Sequence, residues 1–279
     1  MENKKHIFKK KYGQNFLNDK NLLKLILQKS DFQNKNVVEI GSGKGVLTRL
    51  ISKKAKKVLT YEIDKSLKPF LEFDNYKNIF VIYDDVLKRD FVLDFNKYFS
   101  KEDLVMIGNL PYNITSPLIF KILFLDRVKS FIFLIQKEMG LRILSREKKK
   151  CNCFLSVFLQ SLTNITKIRV VKNTSFFPKP KVDGIVLKFD KLLLSEKEKL
   201  FIKNEFFLFL KASFCYKRKK LINNLSINFS ISKEKILFFL KKYQIPLNIR
   251  AEQIDILRFK EISSFFYNFF HKDLICKTY

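Results

Sequence analysis

Tryptophan is absent from the 279 residues, histidine occurs twice, and glycine and proline are scarce at seven and six. Two histidines and four cysteines leave little with which to bind a metal. Cys151, Cys153, Cys215 and Cys276 show no zinc-ligand spacing, and the C-x-C pair reads as free thiols in a reducing compartment. No metal site is expected. No apolar run reaches the roughly 18 residues that span a bilayer, and the basic residues 1–11 lack the apolar core of a signal peptide. The expected location is the cytoplasm, without a membrane partner. Acidic residues are also few, 27 against 55 Lys and Arg, a net charge of +28. That excess favours a polyanionic partner, nucleic acid first and an anionic membrane surface second. An AT-rich genome produces the same wealth of Lys, Phe, Ile and Asn, so charge alone assigns no partner.

What is present is a globular composition, 47% hydrophobic and 29% charged. The length suits one large domain plus a smaller one. Composition shifts near residues 192–199, which predicts domains at 1–190 and 191–279. The second part carries helical periodicity at 201–214, 219–225, 233–242 and 262–270, as expected of a small all-helical domain with an aromatic core.

The chain is organised around residues 108–113, Gly-Asn-Leu-Pro-Tyr-Asn. The apolar run 104–107 before it reads as a buried strand. Pro111 lacks an N–H and has a fixed φ, so carbonyls near it are held where they cannot enter a helix. Acceptors beside the flat ring of Tyr112 suit a planar substrate bearing an NH2 group. A strand followed by a Pro-Tyr turn is the plainer alternative, and the upstream segments decide between them.

Residues 36–40, Asn-Val-Val-Glu-Ile, form a short buried strand followed at once by Gly41-Ser42-Gly43-Lys44-Gly45 and a helical period at Val46, Leu47, Leu50 and Ile51. Glycines at a strand's carboxyl end admit a ligand to the backbone, and the helix N-terminus beyond supplies free N–H groups. A second strand, 58–61, ends in Glu62, about twenty residues after the first glycine, where an acid can accept from two ribose hydroxyls. A dinucleotide fold wants G-x-G-x-x-G. G-x-G-x-G preceded by an acid, here Glu39, is the pattern of class I S-adenosylmethionine-dependent methyltransferases and is the better match. In that pattern the acid organises the site around the methionine end. A third strand, 79–83, runs into Asp84 and Asp85, placed to accept from an adenine amino group. All these groups fall at the carboxyl ends of successive strands, where an open parallel sheet binds ligands. Upstream, Asn18 or Asp19 caps a helix bearing Leu22, Leu23, Ile26 and Leu27 on one face. Gln14 and Asn15 then lie over a cofactor pocket, with Lys9–Lys11 toward phosphate. Downstream, strands at 166–171 and 184–189 close the sheet, with Pro178 and Pro180 in their connection.

With these residues in view, the chain resembles the ribosomal RNA adenine dimethyltransferase family, and within it the bacterial branch that dimethylates two adjacent adenosines near the 3′ end of 16S ribosomal RNA. The resemblance rests on Gly-Gln-Asn-Phe-Leu at 13–17, Glu-Ile-Gly-x-Gly at 39–43 and Asn-Leu-Pro-Tyr-Asn at 109–113. It continues with Gln-Lys-Glu at 136–138, Leu-Ser-Val at 155–157, Phe-x-Pro-x-Pro-Lys-Val-Asp at 176–183, a basic segment at 214–221 and Arg-Ala-Glu at 250–252. It implies a Rossmann-like α/β fold with a mainly parallel seven-stranded sheet, followed by the helical domain as an RNA-binding part. Asn15, Leu17, Gly41, Gly43, Glu62, Asp85 and Asn109 are implied to contact S-adenosylmethionine. Asn109, Leu110, Pro111 and Tyr112 are implied to hold the target adenine, with Phe176, Pro178 and Pro180 as a second wall. The implied partner is 16S ribosomal RNA in the 30S subunit, met by a monomer. The basic stretch 146–150 is read as an exposed loop near RNA. Ser42 stands where the bacterial branch usually has proline, and Cys153 where a glycine is usual before Leu-Ser-Val. Ser42 with Lys44 resembles the 23S ribosomal RNA methylases of macrolide resistance. An RNA-binding assembly factor with little catalysis is the third alternative.

Overall fold

The computed structural model describes Phe8, Lys9, residues 12–145 and residues 153–275, with backbone alone for Lys20 and 272–275. Lys10, Lys11, the basic stretch 146–150, Cys151 and Cys276 lie outside these residues.

Contacts divide the chain into two compact units. The first comprises Met1–Gly140 with Ile165–Lys191. Its strands are β1 (Phe16–Leu17), β2 (Asn36–Ile40), β3 (Lys57–Tyr61), β4 (Ile79–Ile82), β5 (Leu104–Asn109), β6 (Val128–Gln136), β7 (Thr163–Val171), β8 (Phe176–Phe177) and β9 (Gly184–Lys191). Seven form one sheet in the order β4-β3-β2-β5-β6-β9-β7, while β1 and β8 pair separately. Pairings from β4 through β6 are parallel and β6–β9 is antiparallel. β2 is buried at every position, its polar Asn36 and Glu39 included, as a parallel strand covered on both faces is, and its sequence shows no polar–apolar alternation. Helices α1 (Lys20–Lys29), α2 (Val46–Ser52), α3 (Phe91–Tyr98), α4 (Thr115–Leu123) and α5 (Lys137–Ile143) accompany it. Asp19 is the cap of α1, its carboxylate accepting from the Leu22 N–H at 2.9 Å. The chain passes from β2 to β3 and β4 on one side, then returns to β5 on the other. That reversal opens a crevice at the carboxyl ends of β2 and β5, where such sheets take ligands.

The second unit comprises Leu141–Asn164 with Leu192–Tyr279. A linear division at 190/191 leaves Leu141–Asn164 with the sheet; their contacts are instead with the helices. The reason is α6 (Phe154–Leu162), whose Phe154 and Phe158 rings meet Phe207 edge-on at 5.4 and 5.2 Å. The remaining elements are α7 (Glu196–Phe201), a π-turn (Ile202–Phe206), α8 (Phe207–Ser213), α9 (Leu221–Phe229), α10 (Lys233–Lys242) and α11 (Ile256–Ile275). α7 begins earlier than the apolar period suggests because Ser195 and Glu198 form a reciprocal capping box. Phe209, Phe239, Phe259 and Phe266 are fully buried at its centre. Among the described residues no helix is long and apolar enough to cross a membrane, and no cluster of His, Cys, Asp or Glu is arranged for a metal.

Candidate active site

Two adjoining cavities, of about 300 and 230 Å3, occupy the strand-end crevice and share Tyr12, Gly41, Ile63, Pro111 and Asn113. The larger takes in Asn15, Gly41, Gly43, Glu62, Asn109, Leu110, Pro111, Tyr112, Phe176 and Pro180. The smaller adds Asp84 and Asp85. The expected site residues are therefore brought together with two exceptions. Leu17 and Pro178 line neither cavity. Leu17 is partly buried, and its side chain packs against the apolar cluster that holds Leu22, Val105 and Phe176.

Glu62 directly follows β3 with its carboxylate already oriented. Oε2 accepts from the Gly43 N–H and Oε1 from the Asp64 N–H, both at 2.9 Å. Each oxygen keeps acceptor capacity for hydroxyl groups of a ligand. Burial raises the Glu62 carboxyl above its ordinary range. Gly43 has φ +55°, and a Cβ there would stand 2.6 Å from the Phe16 ring, so the loop tolerates no side chain at this point. At the end of β4 the two acids divide their work. Asp84 pairs with Arg89 at 3.3 Å and is held below the ordinary carboxylate range by the Asp85 backbone N–H first and Arg89 next. Asp85 spends Oδ1 on the Leu87 N–H at 3.0 Å.

Asn109 ends β5, and its amide orientation is set chemically. The Nδ2 group donates to the Asn15 carbonyl at 2.8 Å. A carbonyl only accepts, so nitrogen must face Asn15 and Oδ1 is turned away as an acceptor. The Pro111 carbonyl is spent on the Ile114 N–H at 3.2 Å and the Thr115 hydroxyl at 3.1 Å. Sequence alone does not distinguish the Leu110 and Pro111 carbonyls as the second acceptor; these bonds leave Leu110. Tyr112 is 39% exposed, and partial burial, then the Asp183 charge, push its phenol above the ordinary range, so it is neutral at working pH.

Glu39 is not a cavity residue. It is 1% exposed and accepts from the Thr48 hydroxyl at 2.6 Å, so it pins α2 behind the glycine loop. Burial pushes its carboxyl up to about 7, from 4.5. A carboxyl raised on folding stabilises the fold below pH 4.5, and that contribution is lost as pH rises through about 7. At about 1.4 kcal/mol per unit the loss is roughly 3 kcal/mol. Glu39→Gln keeps the acceptor for Thr48 without the charge. Thermal melts from pH 4.5 to 8.5 are expected to show a declining wild-type Tm and a flatter profile for the variant, which is the more stable at pH 8. Parallel profiles would show that Glu39 carries no such penalty.

Lys9 does not point to a phosphate position: its ammonium meets Asp64 at 2.5 Å. No local pattern marks Asp64, Ile63 or Leu67 as site residues, although the Glu-Ile-Asp run at 62–64 places two acids at one strand end. Nothing local shows that a distant lysine returns to Asp64.

Three other motifs converge within the helical unit. Arg142, Cys153, Tyr216, Lys217, Lys219, Ala251 and Glu252 surround a cavity of about 470 Å3. The Lys219 ammonium lies 4.4 Å from the Tyr216 ring centroid, and buried Asn224 donates to the Ser213 and Tyr216 carbonyls at 2.7 and 3.2 Å.

Residues 5–267 match the family model described as ribosomal RNA adenine dimethylase. The chain is 51% identical over 261 residues to ribosomal RNA small subunit methyltransferase A of Aster yellows witches'-broom phytoplasma, covering 92% of this chain and 96% of that protein. The protein of the same name from Bacillus cereus is 37% identical over 267 residues, covering 92% and 90%. Among solved structures, a dimethyladenosine transferase from Plasmodium falciparum superposes with a TM-score of 0.74 at 27% identity, covering 92% and 98%. The 23S rRNA methyltransferase ErmE shares the fold, with a TM-score of 0.64 at 22% identity over 90% and 100% of the two chains. With the glycine loop, the acid-tipped strands and the Asn-Leu-Pro-Tyr turn gathered at one crevice, the match over nearly the whole length means that this chain belongs to the ribosomal RNA adenine dimethylase family.

Proposed function

We propose that this chain uses S-adenosylmethionine to dimethylate the N6 amines of two adjacent adenosines near the 3′ end of 16S ribosomal RNA, acting as a cytoplasmic monomer on the 30S subunit. The observation that carries the reading is the Asn109 amide, with Nδ2 bound to Asn15 and Oδ1 left to accept. The relatives named for the small subunit support 16S over 23S RNA.

The cavity residues suit the methyl donor. Gly41 and Gly43 admit its methionine end to the backbone, Glu62 accepts from its ribose, and Asp85 accepts from its adenine amino group. When bound, S-adenosylmethionine supplies a methyl group on a positively charged sulfur, which is electrophilic without further activation. The rest of the work falls to the protein. The N6 lone pair of adenine is delocalised into the ring and must be drawn out of conjugation. Asn109 Oδ1 and the Leu110 carbonyl accept the two amino hydrogens and aim the lone pair. The N6–methyl bond forms as the sulfur–methyl bond breaks, and the methylated nitrogen, by then strongly acidic, gives its proton to solvent; neither Asn109 nor the neutral Tyr112 phenol is a base, so orientation provides the catalysis. Tyr112 stacks on the extruded base, and Phe176 with Pro180 closes the other side. Extrusion costs a few kcal/mol unless the RNA presents the base unpaired. The helical unit, with Arg142, Lys217 and Lys219, binds RNA phosphates.

Tyr112→Phe is expected to keep activity near wild type. Tyr112→Ala loses stacking worth about 1–3 kcal/mol, a five- to 150-fold fall in kcat/KM for RNA. Equal losses in both variants would mean that the hydroxyl, not the ring, matters. The assignment itself is tested by incubating the protein and labelled S-adenosylmethionine with immature 30S subunits or naked 23S RNA and mapping the modified base. Label on 23S RNA would overturn the 16S reading, and no label on either substrate would favour an assembly factor without catalysis.

A further inference from the structure

The methyl-transfer geometry leaves unexplained how the N-terminal segment is held over the site. Residues 12–16 all line the larger cavity. Gln14 of this run, and Lys9 before it, are bound by Asp64, which is 1% exposed and lines neither cavity. Its Oδ1 accepts from the Lys9 ammonium at 2.5 Å and its Oδ2 from the Gln14 side-chain amide at 2.7 Å. The Gln14 Oε1 accepts from the Lys9 N–H at 2.8 Å, so both strap residues are tied to each other and to one carboxylate. Ser66 adds its N–H at 3.1 Å and its hydroxyl at 2.7 Å to the Asp64 Oδ1.

This cluster is joined to the site at both ends. The Asp64 N–H donates to Glu62 Oε1, and the other oxygen of Glu62 holds the Gly43 N–H. Farther along the strap, Asn15 accepts from Asn109, and Gly13, with φ +61°, lies so close to Pro111 that a Cβ there would stand 3.2 Å from the proline Cβ. One segment therefore rests on the acid of the cofactor side and on the amide of the substrate side. A buried carboxylate is stable only while its partners stay in place. Burial alone would raise the Asp64 carboxyl, but the Lys9, Ser66 and Gln14 contacts outweigh it and hold the group well below the ordinary range.

We propose that Asp64 is a positioning residue, the latch of a strap formed by Phe8, Lys9 and residues 12–17, and that cofactor exchange requires the Lys9–Asp64–Gln14 cluster to open. The proposal rests on the cofactor reading given above. Asp64→Asn keeps size and shape; with its oxygen left on Ser66 and Lys9, its NH2 group faces the Gln14 amide, so the latch loses the Gln14 tie and the charge that holds the Lys9 ammonium while the turn at Ser66 keeps an acceptor.

The test measures release of tritiated S-adenosylmethionine from the full chain, in the absence of RNA, by dilution into excess unlabelled ligand. Asp64→Asn is expected to speed release at least tenfold and to raise the KM for S-adenosylmethionine more than it lowers kcat. Lys9→Met is expected to do the same to a smaller degree, and Lys9→Arg to restore slow release. The Lys9→Met, Asp64→Asn double variant should release no faster than Asp64→Asn alone, because both remove one latch. Release within twofold of wild type, or additive effects in the double variant, would overturn the proposal. Should Asp64→Asn not fold, Lys9→Met against Lys9→Arg decides by the same criterion, since Lys9 is partly exposed and holds no core. A wild-type chain that retains no ligand would instead refute the cofactor reading, which separates the two failures.

Discussion

Asn109→Ala abolishes methyl transfer, with kcat expected to fall by about a thousandfold or more, on the order of 4 kcal/mol of transition-state stabilisation. The size follows from what the amide does. In the ground state the N6 amine conjugates with the ring and does not need Oδ1. As the nitrogen becomes tetrahedral its hydrogens bend toward acceptors, so a fixed acceptor is worth most in the transition state. Oδ1 is fixed because Nδ2 is held by the Asn15 carbonyl at 2.8 Å. RNA affinity should change less than threefold, since phosphate contacts and Tyr112 stacking remain. Cofactor affinity should weaken a few-fold through the lost tie to Asn15. Asn109→Asp supplies acceptors but sets a carboxylate against the Asn15 carbonyl, and is expected to fall between wild type and alanine. The check is single-turnover transfer to 30S subunits alongside RNA and S-adenosylhomocysteine binding. If Asn109→Ala loses RNA binding and Tm in proportion to activity, the residue is structural.

Phe266→Ala is the second large effect, and it acts on stability. The Phe266 ring is fully buried and has centroids of Phe209, Phe229, Phe239 and Phe270 at 5.3, 4.7, 5.6 and 4.9 Å. Such close aromatic packing cannot collapse over the vacated volume without breaking several tilted ring pairs. The cost is expected to be about 3–5 kcal/mol, a fall in Tm of roughly 10 °C for a chain of this size. The cofactor-site residues all belong to the other unit. S-Adenosylhomocysteine affinity measured well below the transition should therefore stay within twofold of wild type, while methylation of 30S subunits declines. Phe266→Leu should recover about half of the lost stability. A shift below 1 kcal/mol for the alanine variant would mean that the aromatic cluster is loosely packed.

Local sequence was most informative where one element makes its own case. β2 is a short strand closed by glycine, with Val37, Val38 and Ile40 buried and no strict alternation, because a parallel strand covered on both faces needs none. A cap at Asn18 or Asp19 was readable because such a bond is local, and Asp19 makes it, to the Leu22 N–H three residues on. The strand-end acids were readable because parallel strands deliver their last residues to one edge. The helical unit was readable only coarsely. Its α7 begins at a capping box before the apolar period, and Leu141–Asn164 joins it through Phe154 and Phe158, contacts made across some fifty residues.

The class of fold, the glycine loop, the acids at 62 and at 84–85 and the turn at 109–112 are all written locally, since each is a matter of neighbours along one strand and the loop that follows it. Tertiary structure decided what depends on distant partners. It turned the Asn109 amide by offering it the Asn15 carbonyl, and it spent the Pro111 carbonyl so that Leu110 remains. It set Leu17 against the edge of the apolar cluster and Glu39 behind the loop. It also brought Lys9 back to Asp64, a pairing across 55 positions that no local pattern encodes. The physical reason is the same in each case. Which lone pair or donor is left for chemistry depends on which others the fold has already used, and that accounting is complete only when the chain has closed on itself.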